Sequence, residues 1–215
     1  MIFDLDDTLI DTTGFVVPFK MKLCLEKLVE LGLRVSSFEG AYRELMAINA
    51  ESLRSFDAIK QFIKLKEGDL SWTKQVLPLM VSPLPDDFVI PTTPGANEIL
   101  FDLQKGHHLA LVTGGNSSFQ MEKLEKAGIE PSFFSNILIP EDCIKRPSYE
   151  VLCKKFLNTP VIVCGDRVAM DLAPGHELGC TTVHMRWGRG LVNQAESWID
   201  YSISDLRELK DLFRI

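Results

Sequence analysis

The apolar positions of this chain fall into two regimes. Between residues 15 and 80 they recur every three or four residues, the spacing of one helical face. Residues 18–31 form the first such run, with Pro18 suited to a first helical turn and Gly32 to a C-terminal cap. Ser36 with Glu39 makes a capping-box pattern, and Tyr42, Leu45, Met46 and Asn49 follow at helical spacing. A third run carries Phe56, Ile59, Phe62 and Ile63. A fourth begins near Ser71, carries Trp72, Val76 and Leu77, and is disturbed by Pro78. Nothing in this block alternates as a strand does.

The second regime is different. Short apolar runs of strand length, at 1–3, 109–112, 136–139, 161–164 and 181–185, are separated by helical patterns. Helices are expected at 96–105, 117–127, 149–157 and 168–178, three of them closed by Gly106, Gly128 and Gly179. A last helix is expected from about Asp205, carrying Leu206, Leu209, Leu212 and Phe213. Between the regimes, 81–95 holds Pro83, Pro85, Pro91 and Pro94, a density that prevents a continuous helix and reads as a return linker. Strands alternating with helices predict an α/β fold, a Rossmann-like parallel sheet with right-handed crossovers and helices on both faces. The expected organisation is a core of 1–14 and 91–215, with a small all-helical cap and its return linker over 15–90. An insertion that leaves the chain just past the first strand is positioned to act as a lid.

Composition narrows the function. The 215 residues suit one domain with an insertion. A balance of 23 Lys+Arg against 30 Asp+Glu, net −7, argues against nucleic acid and anionic membranes as partners, while a small anionic substrate stays open. Cys24, Cys143, Cys153, Cys164 and Cys180 are scattered, odd in number and without Cys-x-x-Cys, as expected of free thiols in a reducing, cytoplasmic setting. No run approaches the ~20 apolar residues of a membrane helix, and the three apolar residues at the start are too few for a signal peptide. The first strand is short, so either the chain starts further upstream or this edge is ragged. Oligomeric state is left open. The four histidines have no metal-ligand spacing, and neither a dinucleotide fingerprint nor a Walker-type loop is present.

Candidate chemistry sits at strand ends. Asp4 and Asp6, two apart, leave an extended backbone on the same side and repel unless a cation or a proton separates them. The run 109–112 ends in Thr113-Gly114-Gly115-Asn116 ahead of a helix, where Ser117 and Gln120 fit a capping box. Glycine and free N–H groups at a helix start suit a phosphate. The run 161–164 ends in Gly165-Asp166, with Asp171 five residues on. Carboxyl ends of parallel strands share one edge of a sheet, so these groups can converge. Ile144-Lys145-Arg146-Pro147 supplies basic residues near the start of a later helix, and Arg186-Trp187-Gly188-Arg189-Gly190 could rim an anion site.

Asp4-Leu5-Asp6-Asp7-Thr8 after an apolar strand resembles the first signature motif of the haloacid dehalogenase-like hydrolases. Thr113-Gly114, Lys145 or Arg146, and Gly165-Asp166 with Asp171 resemble the second, third and fourth, in family order. The resemblance implies a Mg²⁺-dependent phosphatase acting on a small phosphorylated metabolite such as phosphoglycolate, a sugar phosphate or a nucleotide. A phosphomutase of the same family, or a relative that only binds a phosphate or a partner, are its alternatives. It implies Asp4 as nucleophile through an aspartyl-phosphate and Asp6 as acid and base. It further implies phosphate contacts from Thr113, Gly114 and Lys145 or Arg146. The metal set it implies is Asp4, the Asp6 backbone carbonyl and Asp166, with Asp171 orienting ligands. Asp6 speaks against dehalogenation, because a halide leaving group needs no acid. The family's basic residue is usually a lysine, often directly before a proline; here residue type points to Lys145 and position to Arg146.

Overall fold

A computed structural model describes residues 1–156, 159–192 and 196–213. Among these, six strands form one parallel sheet: β1 (Ile2–Phe3), β2 (Ala110–Val112), β3 (Asn136–Leu138), β4 (Ile162–Gly165), β5 (Thr181–Met185) and β6 (Tyr201–Ile203), in the spatial order β3-β2-β1-β4-β5-β6. The shortest strand, β1, lies at the middle. Phe3 is in register with Leu111 of β2 on one side and Cys164 of β4 on the other. The chain runs outward from β1 in both directions, so β1 and β4 mark the point where the winding reverses, which is where open α/β sheets bind ligands.

The chain divides into two compact units, Met1–Thr13 with Leu84–Ile215, and Gly14–Pro83. The smaller unit is helical. Its helices α1 (Val17–Glu30), α2 (Phe38–Glu51) and α3 (Ser55–Leu65) bury Met21, Leu25, Leu28, Ala41, Leu45, Ile59, Phe62 and Ile63 in one core. The spacing of these residues is the helical periodicity of the sequence. The cap of α2 is Ser37, whose side chain accepts the Gly40 N–H at 3.1 Å, one residue later than the Ser36 expected. The fourth run becomes a short helix, α4 (Thr73–Val76), between 3₁₀ turns at Leu70–Trp72 and Leu77–Val81, because Pro78 cannot continue an α-helix. Lys20 is fully buried in this unit and donates to the Ser82 carbonyl and to Ser82 Oγ, satisfying an ammonium that burial would otherwise penalise.

Residues 84–90 pack with the larger unit, where Leu84 N–H donates to Glu122 and Ile90 N–H to the Lys126 carbonyl. Here α5 (Ala96–Leu103), α6 (Ser117–Lys126) and α7 (Arg146–Lys155) flank the sheet, followed by α8 (Ala173–His176) and α9 (Glu208–Phe213). Tyr149, Leu152 and Leu172 pack with Ile2, Ala110, Val112 and Val163. The helix expected at 149–157 begins earlier, at Arg146, and the expected end at Leu157 lies outside the described residues. The helix expected over 168–178 is a π turn, Val168–Leu172, running into α8, with Pro174 near the junction. Strand β6 has no counterpart in the sequence reading. It is an edge strand of three residues with only Ile203 buried, too short for alternation to register.

Candidate active site

Because β2, β1 and β4 are neighbours, Thr113, Asp4 and Asp166 emerge side by side at one edge of the sheet. Asp4 N–H still donates to the Cys164 carbonyl at 3.0 Å, so Asp4 keeps the strand's direction. The backbone then turns sharply. Asp7 adopts a left-handed φ of 55° and its carboxylate accepts from Thr13 N–H at 2.8 Å and from Thr13 Oγ1 at 2.5 Å. Asp7 is thus a buried staple of the loop that presents Asp4 and Asp6.

Lys145 arrives from the loop ahead of α7. Gly114 makes room for that loop, since a Cβ there would stand 2.9 Å from Cys143 Cα. The Lys145 ammonium is buried and donates to Asp4 Oδ1 at 2.5 Å and Asp171 Oδ1 at 2.6 Å. Arg146 goes elsewhere. Its side chain is about half exposed and pairs with Glu150 at 3.2 Å and with Glu177. Of the two candidate phosphate contacts, the structure brings Lys145 and not Arg146 to the acids: adjacent residues at a helix start point about 100° apart, and Glu150, one turn on, draws Arg146 outward. The Gly165-Asp166-x-x-x-x-Asp171 spacing also has a steric reason. A Cβ on Gly165 would lie 2.4 Å from Asp171 Cβ, so glycine lets Asp171 fold back against β4, where it accepts from Arg167 N–H at 2.9 Å.

The carboxylates of Asp4, Asp166 and Asp171 have oxygens within 4.8 Å of one another, and all three side chains are buried. Burial first, then the Asp171 charge, push Asp4 up to about 7 despite Lys145. Burial, with Asp171 and Asp4, pushes Asp166 well above the carboxylate range. Burial favours the neutral form of Lys145, but Asp171 and Asp4 outweigh it and hold the ammonium charged. With all three carboxylates deprotonated, one ammonium would leave excess negative charge in a buried space. All-oxygen donors of this kind fit a hard divalent cation such as Mg²⁺.

The Asp6 side chain stands apart from that cluster. Its carboxylate takes Lys123 and the Thr12 hydroxyl on Oδ1 and the Gln120 amide at 3.1 Å on Oδ2. Burial raises its pKa, but Lys123, with the Thr12 and Gln120 hydrogen bonds, outweighs this and holds it below the ordinary value. The Asp6 carboxylate is thus engaged by Lys123, Thr12 and Gln120.

A family model, described as haloacid dehalogenase-like hydrolase, matches residues 1–179. This chain belongs to the haloacid dehalogenase-like hydrolases. Among curated relatives of this hydrolase, a glyceraldehyde 3-phosphate phosphatase of Pyrococcus abyssi is 30% identical over 198 residues, covering 88% of this chain and 82% of the relative. A protein of the same name from Pyrococcus furiosus is 28% identical over 223 residues, covering 99% and 91%. The solved structure of Bacillus subtilis YfnB bound to magnesium covers 100% of this chain and 97% of its own, with a TM-score of 0.70 at 19% identity. A 2-haloacid dehalogenase of Pseudomonas syringae pv. Tomato gives 0.61 at 19% identity, covering 99% and 96%. At such identities these structures establish the shared α/β fold.

Two residues of the hydrolase's site were not legible as site residues. Gln120 was read as the end of a capping box begun by Ser117. The cap is instead Asn116, whose Oδ1 accepts Phe119 N–H at 2.9 Å, and this frees Gln120 to reach Thr113 Oγ1 and the Gly114 carbonyl, each at 2.7 Å. Lys123 shares the buried face of α6 with Phe119, Gln120 and Leu124. Polar residues on an otherwise apolar helical stripe are the signal that could have marked both. Of the remaining candidates, His184 is a core residue whose Nε2 lies 3.0 Å from the Asp166 carbonyl oxygen. The five cysteines are free, and no helix among the described residues is long and apolar enough to cross a membrane.

Proposed function

We propose that this hydrolase is a phosphomonoesterase for a small metabolite of the sugar-phosphate class, working through a phosphorylated Asp4. The observation that carries the reading is the junction of Asp4, Asp166, Asp171 and Lys145 beside Thr113, at the ends of three neighbouring strands. The substrate class draws on the curated relatives, named for glyceraldehyde 3-phosphate.

Lys145 holds Asp4 Oδ1, so Oδ2 is the oxygen assigned to attack at phosphorus. The phosphorus–oxygen bond to the alcohol breaks as the bond to Asp4 forms. Asp6, held as the carboxylate by Lys123 and Gln120, must first take up a proton to give to the departing oxygen, and in the second step takes one from the water that cleaves the phosphorylated Asp4. Thr113 Oγ1 accepts from Gln120, which leaves its own O–H to donate to a phosphoryl oxygen. The Gly114 amide and Lys145 add positive field where charge develops. Asp4, Asp166, Asp171 and the Asp6 carbonyl would hold Mg²⁺, which when bound supplies Lewis-acid neutralisation of the phosphoryl oxygens.

The test is phosphate release from glyceraldehyde 3-phosphate, other sugar phosphates and p-nitrophenyl phosphate, with and without Mg²⁺. Turnover by the wild type and none by Asp4→Asn is expected. An Asp4→Asn variant as active as wild type would sink the mechanism, and conversion of a hexose 1-phosphate to the 6-phosphate without phosphate release would replace hydrolysis by mutase activity.

A further inference from the structure

We propose that Lys123 and Gln120 are positioning residues for Asp6, an inference that rests on the acid–base role given to Asp6 above. Helix α6 holds both on one face, three residues apart, which is neighbour spacing on a helix. The Asn116 cap sets the phase of that face. From it, Lys123 takes Asp6 Oδ1 and Gln120 takes Asp6 Oδ2, so the two carboxylate oxygens are held from the same helix. The Thr12 hydroxyl adds a contact to Oδ1 from the loop after β1. Thr113 Oγ1 and the Gly114 carbonyl lie 2.7 Å from the same Gln120 nitrogen, so its two N–H groups are shared among three acceptors and tie the orientation of Asp6 to the two groups assigned to the phosphate.

Lys123 is 4% exposed. Burying an ammonium is costly unless it is paired, and solvent-facing positions on α6 were open to a lysine. Its place follows from what Asp6 must do. The same carboxyl group has to meet the departing oxygen in the first step and a water in the second. A free aspartate samples several rotamers, whereas one held at both oxygens returns to one position for both steps. The contacts of Lys123 and Gln120 run to Asp6 and Thr113, so the role given to them is to act through Asp6.

Proton transfer to the leaving oxygen matters greatly for an alkyl ester and little for p-nitrophenyl phosphate, whose phenolate leaves unaided. We therefore compare kcat/KM, which reports steps up to alcohol release and excludes hydrolysis of phosphorylated Asp4. Lys123→Met is expected to lose about 100-fold on glyceraldehyde 3-phosphate or glycerol phosphate, the scale of general acid catalysis, and less than about tenfold on p-nitrophenyl phosphate. Gln120→Met, which keeps the ion pair, should show the same split at smaller size, and Lys123→Arg should recover part of the alkyl-ester rate. Added to Asp6→Asn, Lys123→Met should cost the alkyl ester nothing further. Equal losses on both esters, or additive losses in the double variant, overturn the inference while leaving phosphatase activity intact. A wild-type protein that turns over no phosphate ester overturns the hydrolysis reading and this inference with it. Should Lys123→Met fail to fold, Gln120→Met and Lys123→Arg carry the same comparison.

Discussion

Lys145 and Arg146 are neighbours in the chain with opposite surroundings. Lys145 is buried between Asp4 and Asp171; Arg146 makes exposed pairs with Glu150 and Glu177. Exposed pairs contribute about 0–1 kcal/mol, whereas removing one partner of a buried pair costs about 3–5 kcal/mol because a charge is left behind. Lys145→Met is thus expected to lower the melting temperature clearly and to cut kcat by at least about 100-fold, the scale of losing one charge-stabilising donor. Arg146→Ala should keep activity within a few-fold. Thermal melts and steady-state rates on one phosphate ester check both. The carboxylates were legible because Asp4-Leu5-Asp6 and Gly165-Asp166-x-x-x-x-Asp171 are local patterns. The choice between two adjacent cations was not, since it depends on which direction the start of α7 faces.

At the scale of elements, the site depends on how closely backbone segments approach. Asp171 leaves the π turn ahead of α8 and folds back onto β4 only because Gly165 has no side chain. Gly165→Ala is expected to destabilise the protein by about 1–3 kcal/mol, as overpacking does, and to weaken Mg²⁺ binding by displacing Asp171. Calorimetric titration with Mg²⁺ and denaturant melts would test the two effects separately, and unchanged metal affinity would show that Asp171 does not depend on this contact. Most helices and strands of the core were readable from periodicity and from Gly32, Gly128 and Gly179, which take positive φ at helix ends. Strand β6 was not, because its pairing with β5 rather than its own composition makes it a strand.

At the scale of the whole molecule, the acidic cluster links stability to pH and metal. The pKa of Asp4 lies at about 7 in the fold, above the ordinary carboxylate value, chiefly because it is buried. A folded state that binds the proton more tightly than the unfolded chain loses stability as pH rises, here from about 4 to about 7. Without metal, the Asp4 contribution is thus favourable in acid and lost toward neutrality, and Asp166 shifts in the same direction. A divalent cation needs the deprotonated carboxylates, so it stabilises where the metal-free protein is weakest. The melting temperature should rise with Mg²⁺ by several degrees at pH 8 and hardly at pH 5, and Asp166→Asn should abolish the rise; equal shifts at both pH values would contradict the linkage. By itself, the sequence determined the class of the fold, the separate helical block and the acids that gather at the strand ends, because periodicity and short motifs are local properties of a chain. The tertiary structure alone decided which cation meets Asp4, that Gln120 and Lys123 hold Asp6, and that β1 lies between β2 and β4. Each of these is a contact between segments tens of residues apart or more, and such contacts follow from strand order and packing rather than from neighbours in sequence.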